Sequence, residues 1–201
     1  MSKKDLYIFR HGETDWNKEQ RFQGHTDIPL NENGRQQAAD LAKILKSHDL
    51  EVIVSSDLSR ALETASIVNA SKSLPLHQTP DLRECNLGDI EGLHREVILT
   101  QYKTEWERWI SNNPADEHFK FPNGESKTDH LQRMVRWIEN FCKANMHLKS
   151  IAVSTHGASV RRLVHHCKDA PVEPVKMPNC VLYKVSIDLS SGDWFYHGLI
   201  E

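Results

Sequence analysis

Leu6-Tyr7-Ile8-Phe9-Arg10-His11-Gly12-Glu13-Thr14 joins four consecutive apolar residues to a polar segment that holds a glycine. An unbroken apolar run of this length suits a strand buried on both faces, and the change at Arg10 marks its carboxyl end. Two later runs repeat the pattern. Val52-Ile53-Val54 leads into Ser55-Ser56-Asp57-Leu58-Ser59-Arg60, and Ile151-Ala152-Val153 into Ser154-Thr155-His156-Gly157. Helical stripes separate them. Asn31 can cap a helix to about Ser47 that carries Ala38, Leu41, Ala42 and Leu45, and Leu58, Ala61, Leu62, Ala65 and Val68 mark another. Alternation of buried strand and amphipathic helix predicts an α/β fold with a parallel sheet.

Working outward, Leu131, Met134, Val135, Ile138, Phe141 and Cys142 stripe a long helix, and Val160, Leu163, Val164 and Cys167 the helix after His156. Residues Val181 to Ile187 alternate as a strand with one wetter face, and Trp194 to Gly198 are expected to pair near the sheet edge. The stretch from about Leu93 to Asn123 breaks the alternation. Tyr102, Trp106 and Trp109 fall on one face of a predicted helix that ends at Asn112-Asn113-Pro114, and Pro122-Asn123-Gly124 marks a turn. The expectation is one domain over 1–201: a three-layer α/β/α sandwich, its central sheet mostly parallel, with a small helical cap inserted at about 93–123.

Composition narrows the class of function. The net charge is −3, and no basic stripe able to track a nucleic acid is present. No apolar run is long enough for a signal segment or a membrane span, which predicts a cytoplasmic protein without a membrane partner. The four cysteines are scattered without a CxxC pair and read as reduced, mostly buried thiols. Of twelve histidines, His165-His166 are adjacent and point about 100° apart on a helix, and no HExxH or HxH pattern occurs, so no metal site is expected.

In open α/β sheets ligands bind beyond the carboxyl ends of the strands. Three such ends here bring Arg10, His11, Arg60 and His156 toward one crevice. Each His-Gly lies near a helix or turn start, where free backbone N–H groups favour an anion. Convergent cations and free donors describe a phosphoryl site.

The motifs resemble those of the histidine phosphatase superfamily, also called phosphoglycerate mutase-like. Arg10 to Asn17 matches RHGETxWN, Gln23 to Gly34 is similar to QGxxDxPLxxxG, Ser55 to Ala65 to SSDLxRAxxTA, and Leu82 to Gly92 to LxExxxGxxEG. Gly124-Glu125-Ser126 and Ser154 to Gly157 complete a series that runs nearly the whole chain. The family often has a second Gly where this chain has Ala158; only backbone donors are asked of that position.

The resemblance implies a phosphohistidine on His11. A neutral imidazole attacks phosphorus while its other nitrogen is fixed by a backbone carbonyl. Arg10 and Arg60 hold equatorial oxygens with a fork that fits phosphate, and His156, charged, is expected to add a third donor. Asn17, Gln23, the Gly24 backbone and Gly157 are implied as phosphate-binding. No cofactor or metal is called for, since these cations neutralise the transferring group. Glu84 is the implied general acid and base: the like charge of a phosphate dianion favours a protonated carboxyl that can donate. Glu13 is expected to accept hydrogen bonds structurally.

The expected partner is a small-molecule phosphate ester, and a homodimer is compatible with the reading. A phosphatase is favoured over a cofactor-dependent mutase. From Leu93 to Asn123 four bases face five acids, so no cationic excess is visible for a second anionic end, and the run Glu84-Cys85-Asn86-Leu87-Gly88 departs from the Glu-Arg-His-Tyr-Gly typical of those mutases. A non-catalytic phospho-ligand regulator ranks below both, because no member of the catalytic set is missing. Tyr102, Trp106, Trp109, Phe119 and Phe121 are expected mostly to pack the cap onto the core, a reading that applies to at least two of them; one or two facing the crevice would admit an apolar or planar moiety.

Overall fold

The computed structural model describes residues 3–111, 113–172 and 175–201. One sheet has the strand order β3-β2-β4-β1-β5-β6, from β1 (Lys3–Arg10), β2 (Val52–Ser56), β3 (Leu76–Thr79), β4 (Ser150–Thr155), β5 (Leu182–Asp188) and β6 (Asp193–Ile200). The portion β3-β2-β4-β1 is parallel, and β5 and β6 extend it antiparallel to the edge. The mostly parallel α/β expectation holds. β3 has no counterpart in the sequence reading: it is four residues long, His77 and Gln78 are polar and exposed, and it pairs only with β2.

Side chains of β1 alternate between two cores, as the pleat requires. Leu6 and Ile8 join the cluster under α6 (Lys127–Ala144) and α7 (Gly157–His165), whereas Tyr7 and Phe9 join that under α2 (Glu32–Leu45) and α3 (Ser59–Asn69). Leu6, Ile8 and Phe9 are wholly inaccessible, each contributing about 1.5–3 kcal/mol of hydrophobic burial. Helix starts follow their caps. Asn31 accepts from the Gly34 N–H at 2.9 Å, and Ser126 from the Asp129 N–H at 3.1 Å. Buried Lys4 donates from Nζ to the carbonyls of Met146 (2.7 Å) and Leu148, tying β1 to the turn after α6.

The single-turn helix α1 (Asp15–Lys18) follows the first polar loop. The cap is two short helices, α4 (Arg95–Gln101) and α5 (Lys103–Ile110), rather than one. Tyr102 sits between them with φ −122° and ψ 31°, outside helical geometry, so only Trp106 and Trp109 share a helix. Asn112, placed at the helix end from sequence, lies outside the described residues. A third small core of Cys85, Leu87, Ile90, Ile98, Trp109 and Phe121 packs the cap against the segment that precedes it. Cys85, Cys142 and Cys167 are buried, Cys180 is half-buried, and none forms a disulfide. Among the described residues no helix is long and apolar enough to cross a membrane.

Candidate active site

The register of β1 against β4 pairs Arg10 with Thr155, so the two His-Gly segments leave the sheet side by side. The His11 and His156 rings meet edge to face, 5.2 Å between centroids. His11 is locked by backbone: its N–H donates to Thr155 O (2.9 Å), and the Gly12 N–H to Thr64 Oγ1 (3.0 Å). A Cβ on Gly12 would lie 2.3 Å from Gly34 O, which explains why both positions are glycine: two backbones meet there. His11 Nδ1 is 2.6 Å from Gly12 O. A carbonyl only accepts, so Nδ1 carries the proton and the Nε2 lone pair is left to react. Burial, then the neighbouring Arg60 and Arg10, hold the imidazole well below the usual histidine range. His11 is therefore neutral at pH 7.

Around His11 the arginines are unequally engaged. Arg10 donates from Nη1 to Met177 O at 2.5 Å, while its Nε is buried and donates to nothing among the described residues. That orphaned edge lies against Gly157, whose hypothetical Cβ would stand 3.4 Å from Arg10 Nε. Arg60, wholly buried, donates to His156 Nδ1 (3.2 Å), Thr26 O (3.0 Å) and Gly24 O (2.8 Å). Three of its five N–H bonds are used and two remain. Burial lowers its pKa to about 10, which leaves it charged.

His156 departs from expectation. Arginine only donates, so His156 Nδ1 is the acceptor, and its proton sits on Nε2, 2.9 Å from Ser56 Oγ. Burial first, then Arg60 and His11, push it well below the usual range. Burial and the Arg60 guanidinium against Nδ1 keep the ring neutral. His156 is also fully buried behind Arg60 and does not line the cleft. Nor does Gly24: its carbonyl holds Arg60, and a Cβ there would meet Glu91 Oε1 at 2.0 Å. Asn17, Gln23 and Gly157 do line it. Gln23 Nε2 donates to Thr14 Oγ1 (2.7 Å) and its Oε1 is buried without a partner. Turning that amide over would let the Thr14 hydroxyl donate to Oε1 and free Nε2 for an anion.

Glu84 enters the cleft from the loop after β3. Its Oε2 accepts from the Ala158 N–H (2.9 Å), and its Oε1 from the N–H groups of Cys85 (3.0 Å) and Ser159 (3.2 Å) and from Ser159 Oγ (3.2 Å). Two of the amides at the start of α7, those of Ala158 and Ser159, expected to await a substrate anion, are thus taken by Glu84. Behind it, His130 Nε2 is 3.0 Å from Ser159 Oγ and 3.9 Å from Glu84 Oε1. Burial and the nearby Arg162 and Arg133 keep His130 neutral, so this contact is a hydrogen-bonded relay and no ion pair.

Several supports went unnoticed in the sequence. Arg133 grips Glu125 in two bonds (2.9 and 2.8 Å) and donates to the carbonyls of Asp81 (2.7 Å) and Glu84 (3.3 Å). Arg83 grips Asp57 likewise (2.7 and 2.6 Å). Asp27 accepts from the N–H and hydroxyl of Ser59, both at 2.8 Å, supplying a cap for α3 from a distant loop. Asn179 Nδ2 reaches His11 O and Asn17 Oδ1, both at 3.1 Å. Asp57, Asp27 and Glu125 stand inside the quoted motifs, the one signal that could have found these contacts; nothing marked Asn179. Glu13 accepts from Asn31 Nδ2 at 2.9 Å.

These groups open into a cleft of about 460 Å³. Arg10, His11, Arg60 and Glu84 line its inner part, with Phe22, Trp106 and Trp109 contributing its aromatic wall. Trp106 packs edge to face on Phe22, 5.1 Å between centroids, whereas Phe119 and Phe121 pack on each other and within the cap. Arg21, Arg95 and Arg161 also line the cleft, and Glu84 is its sole carboxylate among the described residues. The charge count over Leu93 to Asn123 therefore misjudged the site. Arg21 and Arg161 come from elsewhere in the chain, and the five acids of the cap do not line the cleft.

A sequence profile described as histidine phosphatase superfamily (branch 1) matches residues 6–196. The chain is 31% identical over 198 residues to a probable phosphoglycerate mutase, GpmB, of Escherichia fergusonii, covering 97% of this chain and 89% of that one. It is 30% identical over 180 residues to an uncharacterized phosphatase, PhoE, of Bacillus subtilis, covering 89% and 86%. A solved mycobacterial glucosyl-3-phosphoglycerate phosphatase superimposes with a TM-score of 0.85 at 25% identity, over 97% of this chain and 98% of that one. With a neutral, carbonyl-anchored histidine between two arginines at the strand ends, and a profile match along almost its whole length, the chain belongs to the histidine phosphatase superfamily.

Proposed function

We propose that the chain is a phosphatase that hydrolyses a small-molecule phosphate monoester through a phosphohistidine on His11. The observation that carries the reading is the tautomer of His11: Nδ1–H is tied to Gly12 O, so the free lone pair belongs to Nε2. Nε2 attacks phosphorus and the ester P–O bond breaks. Glu84, lining the same cleft, delivers the proton that the departing alkoxide needs. Water then attacks the phosphohistidine, Glu84 takes its proton, and the P–N bond breaks to return neutral His11 and inorganic phosphate. The free Nε edge of Arg10 and the two unused N–H bonds of Arg60 meet the equatorial oxygens. These cations replace a metal's electrostatic role, so turnover in chelator is part of the proposal.

The mutase reading stays as the alternative, and the arginines at the cleft mouth favour it. Against it stands the cap, two helices of seven and eight residues, which offers little to keep water from a phosphoenzyme. The names of the relatives divide between the two activities. The mycobacterial phosphatase was solved with VO3, consistent with a pocket in this family that takes a phosphoryl mimic.

The deciding experiment uses labelled substrate and rapid alkaline quenching. An acid-labile, base-stable phosphoenzyme in the native chain, absent in His11→Ala, is expected. Label on serine or cysteine would overturn the mechanism. Incubation with 3-phosphoglycerate and catalytic 2,3-bisphosphoglycerate separates the activities: rapid 2-phosphoglycerate formation with little free phosphate from any ester tried would establish the mutase.

A further inference from the structure

The chain has eleven arginines. Five of them, Arg21, Arg35, Arg83, Arg108 and Arg133, have a carboxylate within 4 Å. Among the described residues the other six have none, and they are not scattered. Arg10, Arg60, Arg95 and Arg161 line the catalytic cleft; Arg136 and Arg162 line a separate groove beside α6. Unpaired arginine is thus confined to cavities, in a chain whose net charge is −3.

A transferring phosphoryl group is a dianion, and Arg10 with Arg60 already matches its charge. Arg95 and Arg161 are surplus to that task. Arg95 opens cap helix α4, and Arg161 stands on α7 four residues beyond Gly157, about one helical turn, 5.4 Å, along the axis. Both are exposed, at the mouth rather than the floor. Arg161 is near enough to Arg10 to disfavour its charge. Solvated surface arginines would ordinarily find acids or spread apart. These two instead border a cleft whose one described carboxylate, Glu84, is already engaged by the amides of α7. A cleft lined by one sign of charge focuses its field on a counter-ion. Phe22, Trp106 and Trp109 line the same cleft.

We infer that the cleft is built for a phosphate monoester bearing a second anionic group, carboxylate or phosphate, on a planar or apolar body. The phosphoryl group would lie at His11, the body against Trp106 and Phe22, and the second anion between Arg95 and Arg161. The inference rests on the phosphoryl-transfer reading of the same site and names its substrate class.

The test compares 4-carboxyphenyl phosphate, 1,4-phenylene bisphosphate and the neutral 4-carbamoylphenyl phosphate. The first and third differ in the second anion and little else. At low salt, at least one anionic ester should exceed the neutral one by about tenfold in kcat/KM, roughly one charge-assisted contact. That ratio should approach one in the double variant Arg95→Gln/Arg161→Gln and persist in Arg136→Gln, whose arginine also lacks an acid but lies outside the cleft. Whichever anion is preferred identifies the second group. No preference in the native chain, or a preference unchanged in the double variant, overturns the inference. Should no ester be hydrolysed, the phosphatase reading fails separately. Calorimetric binding of the same three esters to His11→Ala then decides: tighter binding of an anionic ester, lost when Arg95 and Arg161 are also replaced, upholds the inference, and equal binding of all three ends it.

Discussion

Mild acid should destabilise this protein through three buried histidines in and behind its candidate active site. His11, His130 and His156 are buried, and each is held well below the usual histidine range, first by burial and next by nearby arginines. The unfolded chain has no such restraint, and its histidines titrate near 6.5. As pH falls through that value the unfolded state takes up protons that the folded state refuses, so stability present above it is lost progressively below it. With the folded rings still neutral at pH 5.5, each histidine costs about 1.4 kcal/mol relative to pH 7.5. Three together cost about 4 kcal/mol, a large share of the 5–15 kcal/mol typical of a folded domain. The carboxylates held low, such as Asp57 and Glu91, add their losses mainly at lower pH. Urea unfolding followed by tryptophan fluorescence at the two pH values, in phosphate-free buffer, measures the difference. His130→Asn should shrink the pH-dependent loss by about a third, whatever it does to stability at neutral pH. A loss below about 1 kcal/mol, or one untouched by that replacement, would refute the reasoning, because the buried rings would then be taking up protons in the folded state.

Glu84→Gln should slow phosphorylation of His11 far more with an alkyl phosphate than with para-nitrophenyl phosphate, whose phenolate leaves with little protonation; equal damage in single-turnover measurements would reduce Glu84 to a positioning role. Turnover should survive EDTA, and vanadate should inhibit by taking the trigonal-bipyramidal shape of the transferring group; loss in chelator restored by magnesium or zinc would contradict the cation cradle. Gly12→Ala should destabilise the fold, by about 1–3 kcal/mol in denaturant titration, since its Cβ would lie 2.3 Å from the Gly34 carbonyl oxygen; an unchanged midpoint would show that the two loops can part. Asn179→Ala should lower kcat about tenfold at little cost in stability, because it frees Asn17 and the His11 carbonyl; a kcat equal to that of the native chain would dismiss Asn179 as a support.

The strands that carry the chemistry were legible because burial on both faces leaves an unbroken apolar run, and the loops beyond Phe9, Val54 and Val153 announced themselves by the abrupt change to polar residues. The helix stripes and the cap at Asn31 are likewise local, written within a few residues. Tertiary structure alone decided the rest, since it depends on what meets across the fold. β3 is too short and too polar to show itself, and exists by pairing with β2. The charge of His156 was misjudged because it is set by burial and by Arg60, brought against it from another strand end. The amides of α7 looked free in sequence, but Glu84 reaches them from more than seventy residues away. Counting charge along the cap could not reveal the arginine mouth, because Arg21 and Arg161 arrive there from a loop and from a helix of the core. Residue chemistry pointed to phosphoryl transfer; the convergence of distant side chains decided which groups are charged and which are free.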